Sequence, residues 1–329
     1  VFPAALKAGA ARFLEGVSRK DLAQRSSALS SHYRRGGASG TTVAGEADVV
    51  AYVASRMPAT FAACTAAFAA AASRDPAFAP KSLLDVGTGP GTASWAAVQT
   101  WPGLQSVTML DSNAPFLDVA QRLASGSDHA ALSRAACKLE DITRRGDPLP
   151  KCDVVVAGYA LAELEASCLS GVISALWDAC CGVLILIEPG TPAGYARIAA
   201  SRAQLIESGA LVVAPCPHAR SCPIQPPDWC HFAQRLPRSR DHMKAKSADV
   251  PFEDEKFSYV AVGRDMGPLV PVDARILAPP RDSKPGLTFK LCTANGIVER
   301  TVSRRDRADF TRMRRLKWGD AFADADQGG

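Results

Sequence analysis

The chain has 329 residues, 47 % of them apolar and 22 % charged, with a formal net charge of +5. Those proportions are those of a globular fold with a sizeable core, long enough for one large domain or two to three smaller ones. They exclude a transmembrane helix, since no run of about 18 or more apolar residues occurs, and the mild basic excess does not by itself demand a nucleic-acid partner.

Residues 1–78 are expected to be helical. Apolar positions recur at helical spacing in "LKAGAARFLEGV" and "RKDLAQRSSALSSHY". "RRGGASGT" breaks the pattern, and "EADVVAYVASRMPATFAACTAAFAAAASR" resumes it, with Pro58 marking a restart or kink. From residue 82 the rhythm changes. "SLLDV" is a short apolar strand that ends in a glycine-rich turn, and "TASWAAVQT" follows as helix. "SVTMLD" and "APFLDVAQRLAS" repeat the pair, as do "CDVVVAGYAL" with "LSGVISALWDAC" and "GVLILIEPG" with "GYARIAASRAQLIES". Strands alternating with helices predict an α/β fold with an open, mostly parallel sheet wrapped on both faces. The continuous apolar strands suit burial on both sides. "LVVAP" and "KFSYVAVGR" read as two further strands, separated by an excursion of about 45 residues, too long for an ordinary structureless connection. Beyond about residue 266, "LTFKLCTANGIVERTVS" predicts short strands turning at Asn-Gly, followed by the basic segment "RRDRADFTRMRRLKW". The expected organisation is an N-terminal helical region (1–78), a Rossmann-like domain (79–265) with a Cys-rich excursion (214–250), and a small β-rich, basic domain (266–329).

The sharpest motif is "LLDVGTGPGTASWA", between a strand and a helix. Its glycines let backbone approach a ligand, and the helix N-terminus favours negative charge. A phosphate-cradling loop would need G-x-x-x-x-G-K-[ST], and no Lys follows. A dinucleotide fingerprint would read G-x-G-x-x-G, whereas Gly87, Gly89 and Gly91 are spaced G-x-G-x-G. With Asp85 and Thr88 the turn resembles motif I of class I S-adenosylmethionine-dependent methyltransferases. Asp111 ends the second strand, followed by Ser112, where a carboxylate can accept both ribose hydroxyls. Asp141 falls after the third strand, where such enzymes contact adenine. Tyr159 ends the fourth, at the carboxyl edge where open sheets bind ligands. The competing reading is a tight turn with Asp111 capping a helix. It is weaker because strand, turn, helix and acid occur in the required order. No N/D-P-P-Y/F motif for amino-group methylation and no Pro-Cys pair occurs at the end of the fourth strand. Glu163 and Glu165 are candidate bases, but they read rather as surface or helix-capping residues, and no catalytic residue is assigned.

Cys216, Cys222 and Cys230 lie in "PCPHARSCPIQPPDWCHF" with the pattern C-x5-C-x7-C. That is looser than zinc fingers and than bacterial ferredoxin runs. Pro217 and Pro223 stiffen the loop and hold the thiols apart. A stable site wants four ligands, and the candidates for the fourth are His218, His231 and Cys292 in "KLCTANG". Cys64, Cys137, Cys152, Cys168, Cys180 and Cys181 fall in helices or strands, where a free Cys behaves as a small buried hydrophobe. The first residues show no charged-then-apolar signal pattern, so reducing conditions and metal ligation are expected rather than disulfides. On donor chemistry alone, zinc and an iron–sulfur cluster stand level.

Together, "RMPATFAA", "SLLDVGTGPGTASWA", "PCPHARSCPIQPPDWCHF", "EDEKFSYVAVGR", "KLCTANG" and "LKWGD" resemble, in order and over nearly the whole chain, the methyltransferase-like proteins of mitochondrial small-ribosomal-subunit assembly and their bacterial relatives. The resemblance implies a [4Fe–4S] cluster on Cys216, Cys222, Cys230 and Cys292. It implies S-adenosylmethionine as the bound small molecule, and small-subunit rRNA of the assembling small ribosomal subunit as the partner. The compartment would be the bacterial cytoplasm or the mitochondrial matrix. Two readings follow: an enzyme methylating rRNA or a ribosomal protein, and a non-catalytic assembly factor. A third, a small-molecule methyltransferase with structural zinc, is disfavoured by the basic segments. Those are Arg235, Arg238, Arg240, Lys244 and Lys246 beside the cysteines, and Arg304, Arg305, Arg307, Arg312, Arg314, Arg315 and Lys317 near the C-terminus. Joined by a cluster, they would form a phosphate-contacting surface; either run alone reads as a solvated helix face. A monomer when free, and no membrane attachment, are expected.

Overall fold

The computed structural model describes residues 2–34, 43–144, 146–238, 242–243 and 249–323. Arg240, Lys244 and Lys246, and most of the "RRGGASGT" break, lie outside the described residues. Four helices precede the sheet: α1 (Ala4–Leu14), α2 (Arg19–Arg34), α3 (Glu46–Ser55) and α4 (Met57–Ala72). Pro58 sits in the first turn of α4, where its missing N–H costs nothing, so the pattern restarts at Arg56 rather than kinking inside one helix.

The alternating part runs β1 (Ser82–Val86), α5 (Thr92–Thr100), β2 (Ser106–Asp111), α6 (Ala114–Ser125), the one-turn α7 (Ala130–Ser133), β3 (Ala136–Leu139), β4 (Cys152–Gly158), α8 (Ala166–Ala179), β5 (Cys180–Pro189), α9 (Pro192–Glu207), β6 (Leu211–Ala214), β7 (Phe232–Pro237) and β8 (Phe252–Gly263). The sheet order is β3-β2-β1-β4-β5-β8-β6, with β1 to β5 parallel and β8 antiparallel to β5 and β6. This is the expected Rossmann-like α/β sheet with one reversed strand near its far edge. Helices cover both faces because strand side chains alternate. Leu83, Val154, Val156, Ile185 and Ile187 face the side of α3 to α6, while Leu84, Val155, Ala157, Leu184 and Leu186 face α8 and α9. Each is at most 1 % exposed, and each such Leu or Ile contributes about 1.5–3 kcal/mol by leaving water.

Strand β8 begins four residues earlier than "KFSYVAVGR" indicates, and the extension pairs with β7, from Phe232↔Phe257 to Pro237↔Phe252. The segment "FAQRLP" lacks β-branched residues and is held as a strand by this tertiary pairing. Strands β6 and β7 both run antiparallel along the same edge of β8, with Ala214 opposite Ala261 and Phe232 opposite Phe257. They are two halves of one edge line, interrupted by residues 215–231, the cysteine loop. The long excursion is therefore part strand.

Beyond the sheet, β9 (Ala274–Ile276), β10 (Arg281–Asp282), β11 (Gly286–Thr293), β12 (Gly296–Ser303), α10 (Arg307–Met313) and β13 (Ala321–Phe322) form a second unit. Its own core holds Ile276, Phe289, Leu291, Val302 and Met313. The β11–β12 hairpin turns where Asn-Gly stands, with Gly296 at φ 114°, which favours glycine. Among the described residues no helix is long and apolar enough to cross a membrane.

Candidate cofactor cleft and thiol pocket

The carboxyl ends of β1, β2, β4 and β5 open into a cleft of about 960 Å³. Asp85, Gly87, Thr88, Gly89, Asp111, Ser112, Asp141 and Tyr159 all line it. Gly91 does not; at φ 81° it caps α5, and a Cβ there would meet Met109 Sδ at 3.2 Å. It lets the helix close onto β2. Asp85, 0 % exposed, accepts from Thr88 Oγ1 at 2.8 Å and from Ser94 N and Oγ at 3.0 and 2.7 Å, all through Oδ2. It thereby ties the glycine turn to α5. Its Oδ1 is buried without a hydrogen-bond partner among protein groups, and burial pushes the carboxyl up to about 6. Asp111 Oδ2 accepts from Gly89 N at 2.7 Å and Oδ1 from Asn113 N at 2.8 Å. Each oxygen keeps a lone pair for a further donor. Asp141 accepts from Thr143 Oγ1 and N at 2.6 and 2.9 Å, bonds that hold its carboxyl below the usual range.

Two ion pairs at this cleft were not legible in the sequence. Tyr159 has φ 61°, a region non-glycine residues seldom adopt, and its hydroxyl donates to Glu255 Oε1 at 2.9 Å. Arg56, from the α3–α4 break, donates to the same oxygen at 3.1 Å and, like Tyr159, lines the cleft. Glu188, at the end of β5, is 0 % exposed; it accepts from Leu161 N at 3.1 Å and from Arg197 Nε at 2.7 Å. Burial outweighs the arginine and pushes its carboxyl up to about 7. The signal for Glu255 was present: alternation in "FEDEKFSY" turns Glu253, Glu255 and Phe257 to the buried side. Nothing local named its partner, 199 residues away.

Cys216, Cys222, Cys230 and Cys292 line one narrow pocket of about 30 Å³, under the cysteine loop and between α9 and the second unit. His218 and His231 do not line it, although His218 Nε2 is 3.8 Å from Cys292 Sγ. His231 stacks on Trp229 instead. Burial raises the thiols of Cys216, Cys230 and Cys292, the last to about 12, and their mutual proximity adds to it. Two buried arginines offset charge there. Arg202, on α9, opposes the shift at Cys216 and donates to the carbonyls of His218 and Arg220 at 2.7 and 2.9 Å. Arg275, on β9, donates to Pro215 O at 2.6 Å and Gly319 O at 2.8 Å. Tyr195 Oη lies 3.1 Å from Cys222 Sγ. Tyr195, Ile198, Ala199 and Arg202 share one face of α9, and a Tyr and an Arg at these positions of an apolar face were the available sequence signal. Among the described residues no three His, Cys, Asp or Glu side chains converge closely enough to hold a metal ion.

The second unit docks on the cysteine loop by Arg275, by Arg220 Nη1 to Ala294 O at 2.9 Å, by Trp318 Nε1 to His231 O at 3.0 Å, and by the Lys290–Asp228 ion pair. The basic candidates divide. Arg235 forms a bidentate pair with Asp254 and Arg238, 14 % exposed, turns onto Glu253. Arg304 pairs with Asp282, and Arg312 with Asp309. Arg305, Arg314 and Arg315 are exposed and in no ion pair among the described residues.

A family model described as mitochondrial small ribosomal subunit Rsm22 matches residues 46–323. The human ribosome assembly protein METTL17, mitochondrial, is 29 % identical over 283 residues, covering 82 % of this chain and 61 % of that protein. The Rsm22-cox11 tandem protein 2, mitochondrial, of Schizosaccharomyces pombe is 24 % identical over 296 residues, covering 73 % of this chain and 38 % of that protein. The chain thus spans less than two thirds of either relative. Among solved structures, magnesium protoporphyrin IX methyltransferase from Synechocystis PCC 6803 with bound S-adenosylmethionine is 17 % identical, with a TM-score of 0.35 over 56 % of this chain and 69 % of that one. The plantazolicin methyltransferase BpumL in complex with S-adenosylhomocysteine is 12 % identical, with a TM-score of 0.38 over 64 % and 86 %.

Proposed function

Since the chain belongs to the Rsm22 family of the mitochondrial small ribosomal subunit, whose match includes every residue of the cleft turn and the thiol pocket, we propose that it is an S-adenosylmethionine-binding, iron–sulfur-containing factor of small-ribosomal-subunit assembly that binds small-subunit rRNA. The observation that carries the reading is the meeting of four cysteines, three from one loop and Cys292 from another unit, in one pocket lined by two arginines.

The donor set fits an iron–sulfur cluster. All four donors are sulfur, which suits iron or zinc. Zinc and an iron–sulfur cluster both take thiolate ligands; the resemblance of the sequence, and not the spacing of the thiols, favours the cluster. Cys216, Cys222, Cys230 and Cys292 would hold it, and Arg202 and Arg275 would offset its charge. Bound S-adenosylmethionine supplies an electrophilic methyl group. Toward it, Asp111 and Ser112 would take the ribose, Asp141 would face the adenine, and the orphan Oδ1 of Asp85 is an acceptor for an ammonium. Arg305, Arg314 and Arg315, exposed and in no ion pair among the described residues, would be available to meet phosphates.

The reading as a binding platform rather than a catalyst has its own support. Three buried acids at or behind the cleft are bonded, Asp85 to the turn, Glu188 to Arg197, and Glu255 to Arg56 and Tyr159, while Glu163 and Glu165 line its wall. The test is crosslinking and sequencing of bound RNA, with methylation mapping in a deletion strain. Enrichment of small-subunit rRNA supports the assembly role; a lost methyl mark identifies an enzyme and an unchanged map a platform. No rRNA enrichment sinks the proposal, and colourless, anaerobically purified protein with stoichiometric zinc removes the iron–sulfur assignment.

A further inference from the structure

The thiol pocket and the cofactor cleft share a wall. Thr191, Pro192 and Ala193, at the start of α9, line the cleft. One turn later Tyr195 reaches Cys222 at 3.1 Å, and two turns after that Arg202 holds the loop carbonyls of His218 and Arg220. The loop returns the contact: Trp229 Nε1 donates to Gly190 O at 3.0 Å. Gly190 has no slack, because its N–H donates to Lys256 O at 2.8 Å and a Cβ there would lie 2.6 Å from Lys256 backbone. A second route runs along β8. Ser258 Oγ donates to Cys230 O at 2.7 Å, and Glu255, three residues before it, holds the cleft residues Tyr159 and Arg56.

We propose that the cysteine loop and the cleft are energetically coupled through the β5–α9 turn and the first turns of α9, so that a nucleoside-containing ligand in the cleft orders the loop and favours metal loading, and loading in turn favours the ligand. The inference rests on the cleft reading above. The element on which the coupling acts is the loop: residues 215–231 contain no helix or strand and are held by these side-chain anchors. The pocket is narrow, about 30 Å³, so the loop or α9 would have to give way to admit a metal–sulfur core. A cleft ligand that has already fixed the Gly190–Ala193 wall removes part of the ordering cost of that event, which gives positive cooperativity. Linkage makes the effect reciprocal.

Hydrogen exchange of the full chain, with and without S-adenosylhomocysteine, reads this directly. The expected result is about tenfold slower exchange, within the ordinary range of site–site coupling, for backbone amides of 216–222 and 229–231 as well as for the cleft walls. Trp229→Phe keeps a ring and removes the donor to Gly190; it should lose protection in the loop and keep it in the cleft. Tyr195→Phe tests the other link without disturbing Trp229. Protection confined to the cleft walls in the unmutated chain overturns the coupling and leaves the cleft reading standing. Protection nowhere overturns both. Loop protection that survives both substitutions overturns the route through α9.

Discussion

At the scale of single residues, the two buried acids that line the cleft, Asp85 and Asp111, are already bonded. Asp111 uses both oxygens to hold the Gly89 and Asn113 amides, so its carboxylate is fixed before a ribose arrives. Charge-assisted hydrogen bonds contribute about 1.5–3 kcal/mol each. Asp111→Ala should therefore weaken S-adenosylhomocysteine binding by at least about tenfold in calorimetry, with an unchanged fold by circular dichroism; unaltered affinity removes Asp111 from the site. Glu188 makes a prediction about pH. Its carboxyl rises from 4.5 to about 7 because burial outweighs Arg197. Between those values the native chain holds a proton that the unfolded chain has released. The associated stability is complete below pH 4.5 and is lost as pH rises through about 7. Glu188→Gln should accordingly flatten the fall in melting temperature between about pH 5 and pH 8 relative to the parent, and an unchanged slope would show that Glu188 titrates normally. Asp85, pushed up to about 6, leaves a remaining slope of the same sign. Asp111 could be read from sequence because strand, turn and acid have a fixed order. Glu188 could not, since "ILIEPG" gives no sign that a strand-end acid is wholly enclosed.

At the scale of elements, the alternating strands and helices were legible because their apolar residues are continuous and their turns glycine-rich. Strand β7 was not, because "FAQRLP" becomes a strand only against β8. Its pairing with the β8 extension carries Glu255 inward to Arg56, so an edge strand indirectly fixes the N-terminal helices to the cleft. The Arg56–Glu255 pair, 22 % and 9 % exposed, is hidden enough that breaking it leaves an uncompensated charge. Glu255→Leu should cost on the order of 3 kcal/mol in denaturant unfolding. The double variant Arg56→Met, Glu255→Leu should recover most of that loss, because two apolar side chains leave no unpaired charge. If the single and double variants are equally destabilised, the effect comes from lost packing or from Tyr159 rather than from the ion pair. The hydroxyl of Tyr159, in the cleft wall, donates to the same carboxylate, so the double variant should still bind S-adenosylhomocysteine less well than the parent.

At the scale of the whole molecule, the cysteine loop is the joint between two cores. On one side it continues the edge of the Rossmann-like sheet, and on the other it carries the second unit through Arg220, Asp228 and His231. The spacing of the loop cysteines left His218, His231 and Cys292 open as the fourth donor, since the approach of β11 to a loop sixty residues earlier is a matter of docking and has no local pattern. The resemblance named Cys292, and the fold brings that thiol, and neither histidine, to the pocket wall. If metal is held there, its binding energy also holds the second unit in place. Cys292→Ser should then lose as much iron as Cys222→Ser when both are purified without oxygen. Both should also expose the connection between β8 and β9 to limited proteolysis, because each removes the same joint. Full iron retention in Cys292→Ser would hand the fourth position to His218, the imidazole 3.8 Å from that sulfur. Iron loss with an unchanged cleavage pattern would mean that the hydrogen bonds of Arg275, Arg220 and Trp318 suffice to dock the unit, and that the metal serves the loop alone.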